Sequence, residues 1–143
     1  MLNQFLSTAN WLAIIVAAIS YFVLGSIWFS ALFGKQWMAL NNIPEPTPEK
    51  KEEMKKLMMP MMLKTLVMAL VLAFVIGLLG MAIGIHRCVP GIKLGLALSA
   101  IGVIPLVMGD MYLMKPYKLW FIDAGYHILG ITLMSIIIAV WHG

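Results

Sequence analysis

A chain of 143 residues is one domain by length, and 62% of it is hydrophobic against 11% charged, where water-soluble domains run near roughly one half and one quarter. A chain this apolar has too little polar surface to close a core in water, so the lipid bilayer is its expected solvent. The net charge of +4 lies between apolar segments rather than in one patch, which reads as a membrane topology signal and not as a nucleic-acid surface.

The first ten residues contain no Lys or Arg, so the basic start of a secretory signal is missing and the first apolar stretch is expected to stay as a helix. A membrane helix needs about 20 apolar residues. Four stretches qualify, at about residues 11–31, 61–85, 92–114 and 119–141. An open strand would leave backbone groups unpaired in lipid, so all four are expected to be helices. The predicted fold is therefore all-α, a bundle of four transmembrane helices in one domain over residues 1–143.

The loop at about residues 34–59 has features of its own. Pro44, Pro46 and Pro48 stiffen a short linker, and Thr47 with Pro48 makes a favoured helix start. Glu52 four residues before Lys56 supports a short amphipathic surface helix that brings Met54, Leu57 and Met58 to the membrane. Pro60 lacks a backbone donor, and a kink is expected there before the second span.

Orientation follows from the cations. Lys35, Lys50, Lys51, Lys55, Lys56, Lys64, Lys115 and Lys118 fall on the side of the first and third loops, while Arg87 and Lys93 fall on the other. Eight against two puts the lysine-rich side in the cytoplasm. The expected location is the cell inner (plasma) membrane, multi-pass, with both termini extracytoplasmic. Aromatic residues mark the two interfaces: Trp28, Phe29, Phe33, Trp37, Tyr117 and Trp120 on one side, Trp11 and Trp141 on the other. Small residues mark helix packing: Ala13 with Ala17, Gly80 with Gly84, Gly91 with Gly95, and a heptad strip of Gly95, Gly102 and Gly109 around Pro105.

Ionisable groups inside a span are costly and mark candidate sites. Lys64, Asp110, Asp123 and His127 all fall in the cytoplasmic half. Asp123 and His127, four residues apart, share a helix face with Trp120, Gly130 and Met134, as a proton relay would require. The bland alternative is that Asp123 orients His127 and that Lys64 pairs with Asp110 or Asp123 to hold the bundle. Trp28, Trp37, Trp120 and Tyr126 are candidate pocket or interface aromatics. His86, Cys88 and His142 share the outer side without zinc-ligand spacing, so no metal is expected. Nor is a cofactor or catalytic residue, for no phosphate loop, serine elbow or paired carboxylates are present.

The first helix and its exit read Asn10-Trp11, then Gly25, Trp28-Phe29-Ser30, Phe33-Gly34-Lys35 and Trp37, and the fourth helix reads Trp120-Phe121-Ile122-Asp123-Ala124-Gly125-Tyr126-His127. Across nearly the whole chain this resembles a family of small bacterial four-span membrane proteins known only as a domain of unknown function. The resemblance implies the same four-helix architecture and no established activity. Its pattern has tyrosine at Phe29, proline at Ala31 and asparagine at Asp123, which favours a hydrogen-bonding role for Asp123 over an obligatory carboxylate.

Three readings of function follow. The leading one is a small membrane subunit that acts by association, with itself or as an accessory chain of a larger membrane complex, its other partner being lipid. The second is an oligomeric channel or proton-coupled transporter using Asp110, Asp123 and His127. The third is an intramembrane enzyme acting on lipid or quinone, with Trp28, Trp37 and Trp120 framing a head-group pocket. The absence of catalytic motifs leans against an enzyme.

Overall fold

The computed structural model describes residues 2–141, and every regular element among them is helical. In chain order they are α1 (Leu2–Thr8), α2 (Trp11–Ile27) prolonged by a π-helical turn (Trp28–Leu32), α3 (Gly34–Leu40), α4 (Pro48–Ala82), α5 (Cys88–Tyr112) and α6 (Tyr117–Trp141). Four segments, Trp11–Leu32 and the whole of α4, α5 and α6, are long and apolar enough to cross a membrane. The all-α bundle of four spans expected from the sequence is the one observed.

Helix α6 is the axis. Ile122, Tyr126, Gly130, Met134 and Ile138 are buried on it at four-residue intervals, one continuous inward stripe. Helices α2 and α4 pack on α6 and on each other, whereas α5 leans on α6 and barely touches the rest. The buried residues of α2 and α4 include Ala13, Ala17, Ala18, Ala69 and Ala73. In lipid there is no hydrophobic drive to bring helices together, so close backbone approach across small residues supplies the dispersion contacts instead. Asn10 closes the end away from the lysine-rich loops. Its Oδ1 accepts the Ala13 N–H at 3.1 Å as an N-cap, and its Nδ2 donates to the Trp141 carbonyl at 3.2 Å, joining the start of α2 to the end of α6.

Three features depart from the sequence reading. The expected surface helix and second span are one helix, α4, running through Pro60. Pro60 is exposed, so the carbonyl that loses its donor can turn to solvent or head groups, and the flanking Met, Leu and Lys residues all favour helix. The expected loop at 34–59 shrinks to residues 41–47, because Gly34–Leu40 is also helical. Finally, α1 was not foreseen. Its Phe5 is fully buried, edge-on to Phe74 at 5.2 Å, and so caps the same end of the core as Asn10.

The glycine strips also divide. Gly91 and Gly95 face α6, where a Cβ on Gly95 would stand 2.5 Å from the Thr132 Cα. Gly102 and Gly109 have nothing within 4 Å of such a Cβ, so two of the three glycines of the heptad strip pack nothing among the described residues. Gly84 is a helix terminator: its φ is +69°, its N–H donates to the Met81 carbonyl at 3.2 Å, and the Ile85 N–H donates to the Gly80 carbonyl at 2.8 Å.

Gly95→Ala should therefore destabilise the bundle by about 1–3 kcal/mol through overpacking, while Gly102→Ala should be neutral or stabilising by up to about 1 kcal/mol. Thermal unfolding of the two variants in one detergent checks the contrast.

Candidate functional site

The lysine-rich half of the bundle is built by aromatic rings laid across the backbone of a facing helix. A Cβ on Gly25 would meet the Tyr126 hydroxyl at 2.8 Å, one on Gly130 the Tyr21 ring at 2.5 Å, and one on Gly125 the Trp28 ring at 3.1 Å. Glycine at each of these places leaves the room the ring occupies. Tyr126 is the hub: its ring centroid lies 4.9 Å from Tyr21, 5.2 Å from Phe29 and 5.0 Å from His127. Phe29 continues the cluster to Trp37, edge-on at 5.8 Å.

Hydrogen bonds tie the same elements. The Trp28 Nε1–H donates to the Ile122 carbonyl at 3.0 Å, and the Tyr21 hydroxyl pairs with His127 Nδ1 at 2.8 Å. Both join the first span to α6. The π-helical turn aims this segment, since it ends with the Phe33 N–H donating to the Trp28 carbonyl at 2.9 Å. Gly34 follows, where a Cβ would lie only 2.5 Å from the Phe29 carbonyl oxygen. The chain can then double back as α3, and the Trp37 Nε1–H reaches Asp123 Oδ1 at 3.1 Å.

The four intramembrane ionisable groups thus do not form one constellation. Asp123 and His127 share a helix face, yet Asp123 is bonded to α3 and His127 to α2, with no hydrogen bond between them. Lys64 is exposed and pairs with neither aspartate; it borders a recess with Tyr21, Tyr126 and His127. Asp110 pairs instead with Lys115 at 2.8 Å, and the Lys115 backbone N–H donates to the Asp110 carbonyl at 3.0 Å, closing the α5–α6 turn. The second Asp110 oxygen is buried without a partner, as is the Trp120 Nε1.

Of the four candidate aromatics, Trp37 and Tyr126 join the cluster through Phe29, Trp28 lies against Phe33 instead, and Trp120 makes no ring contact with the cluster. Tyr21, the partner of His127, was missed. A lone tyrosine inside an apolar span was its signal, being a polar handle that burial obliges to find a partner. His86 and Cys88 are exposed, and His142 lies outside the described residues. Among the described residues no three His, Cys, Asp or Glu side chains converge.

Chemically, the arrangement commits the side chains of Trp28, Trp37 with Asp123, and Tyr21 with His127 to ties between elements. Fold and cluster together define a four-span membrane bundle cross-linked by aromatic and polar side chains. The chain belongs to the DUF1761 family, described as protein of unknown function, whose model matches residues 12–139. No curated protein and no solved structure matches it.

Because Asp123 acts as a hydrogen-bond acceptor, Asp123→Asn should change stability by less than about 0.5 kcal/mol, while Asp123→Leu and Trp37→Phe should each cost about 1–2 kcal/mol. The double variant Asp123→Leu with Trp37→Phe should cost little more than either alone. Unfolding midpoints of the four proteins in detergent check this.

Proposed function

We propose that the protein acts by association within the membrane, as a homo-oligomer or as an accessory subunit of a larger complex, and that the membrane-proximal part of α4 is the contact. One observation carries this reading: residues 48–65 are exposed throughout, although they form one unbroken helix with the buried part of α4. Thr47 precedes that helix without a side-chain capping bond, and only Lys55 with Glu52, at 2.8 Å, forms an ion pair along the projection. A free helical stretch this short is marginal in water, and helices in proteins draw most of their stability from packing. Met54, Leu57, Met58 and Met59 stand exposed on it. A partner that covers them supplies the missing packing.

The cation count supports a cytoplasmic position for this projection, in the cell inner membrane with both ends of the chain outside. The transport reading gains less support. Asp110, Asp123 and His127 are each held by a different partner, on the α5–α6 turn, α3 and α2 respectively. A relay would need these ties to break and re-form.

Native mass spectrometry of the chain, extracted gently from its own membrane, should show a defined assembly. Met54→Glu combined with Leu57→Glu should weaken that assembly by about tenfold or more while helix content stays unchanged. A single partnerless chain in both cases would contradict the proposal.

A further inference from the structure

Toward the lysine-rich side α4 parts from the bundle: Ala69 is its last buried residue on the way out, while α2 and its π-helical turn stay against α6. The parting opens a cleft of about 450 Å³, and α4 lines it with Met58, Met61, Met62 and Thr65. The chain has 13 methionines, and five of them fall within residues 54–62: Met54, then Met58 and Met59, then Met61 and Met62 beyond Pro60. An apolar surface alone does not call for sulfur, because leucine is as apolar and forms helix as well. Further along the same helix the exposed run Val67, Val71, Val75 and Leu79 carries none.

Spacing gathers the three cleft methionines. Met58 lies three residues before Met61 and four before Met62, so they share a helix face, with Cβ atoms about 5–6 Å apart. All three stand exposed, and no core packing fixes their rotamers. Methionine has three rotatable side-chain bonds and a polarisable thioether, so the sulfurs can turn toward one point in the cleft.

Ligand chemistry decides what such a face binds. The expectation of no metal rests on imidazole, thiol and carboxylate ligands, whereas thioethers are soft, neutral donors that select soft ions such as Cu(I). No charged residue lines the cleft, for Lys64 borders the neighbouring recess with His127 instead. A hard cation therefore finds no carboxylate there. A divalent ion would carry double the charge into an apolar wall with no anion to offset it. A monovalent soft cation meets neither obstacle. The facing wall includes Phe22, Phe29 and Tyr126, rings of a kind that attracts cations to its faces. Its hydroxyls are committed to their own helices: Ser26 donates to the Phe22 carbonyl at 3.1 Å and Thr65 to that of Met61 at 2.9 Å. The sulfurs are thus the donor atoms the cleft offers to a metal.

We propose that Met58, Met61 and Met62 form a thioether site for a monovalent soft metal ion, Cu(I) or its redox-stable counterpart Ag(I). The ion binds without change of oxidation state and displaces no proton, since a thioether carries none. The site does not rest on the association reading. Met58 is also one of the four side chains given there to a partner, whereas Met61 and Met62 are not, so the test acts on the latter two.

The full chain carrying Cys88→Ser, which removes its one thiol, is titrated calorimetrically with silver nitrate in chloride-free detergent buffer. The expected result is about one Ag(I) bound per chain with a Kd of about 1 μM or tighter, and a raised unfolding midpoint in its presence. Met61→Leu combined with Met62→Leu should weaken binding by about tenfold or more. Leucine matches methionine in size and helix propensity, so helix content should stay unchanged. Met108→Leu combined with Met111→Leu, an exposed pair on α5 also three residues apart, should leave binding as it was. Native mass spectrometry of the Met61 and Met62 variant should show the same assembly as the unsubstituted chain, which separates failure of this site from failure of the association reading. Absence of silver binding by the Cys88→Ser chain would overturn the proposal. So would undiminished binding in the Met61 and Met62 variant, or an equal loss in the Met108 and Met111 variant.

Discussion

The lysine-rich half of this bundle depends on one insertion, the Tyr126 ring of α6 pressed against the glycine backbone of α2 at Gly25. Tyr21, Phe29 and His127 surround that ring, and Phe29 leads on to Trp37 and α3. A bilayer offers no hydrophobic gain for bringing helices together, so contact must come from fit and from polar groups that lipid cannot satisfy. This cluster uses both. The glycines supply fit, and the bonds of Trp28, Trp37 and Tyr21 to α6 supply the polar ties.

The half away from the lysine-rich loops is held differently. Buried alanines recur on α2 and α4, Phe5 plugs the end, and Asn10 latches α2 to the last turn of α6. Helix α5 hangs on α6 through Gly91 and Gly95 and through the Asp110–Lys115 closure of their turn. That turn places Met114 at φ 53°, the left-handed residue of a local helix end in which its N–H donates to the Met111 carbonyl and that of Lys115 to the Asp110 carbonyl. The two ends of the molecule thus differ in kind: the end that carries α1 is sealed, and the lysine-rich end is cross-linked on one side and open along α4.

Much of this architecture was legible in the sequence. Four apolar stretches of sufficient length admit little besides four helices. What escaped was whatever depends on rotation about a helix axis. The spacing of Asp123 and His127 places them on one face but cannot say which neighbour each will meet, and the neighbours proved to be different elements. Gly102 and Gly109 look like Gly95 in the heptad and are not used in the same way, for a Cβ on either would meet nothing within 4 Å. Pro60 did not end its helix, since an exposed position tolerates the lost bond. Phe5 gave little warning, because a short helix before a span is set by the groove that receives it.

The central claim is that the polar side chains of the lysine-rich half act as ties between helices. A double-mutant cycle on Tyr21 and His127, with Tyr21→Phe, His127→Leu and both together, tests it most directly by unfolding in one detergent. The account predicts a coupling energy of about 1 kcal/mol, the worth of one buried hydrogen bond. Effects that add to within about 0.3 kcal/mol would show that the two side chains do not hold the helices together, and would contradict it.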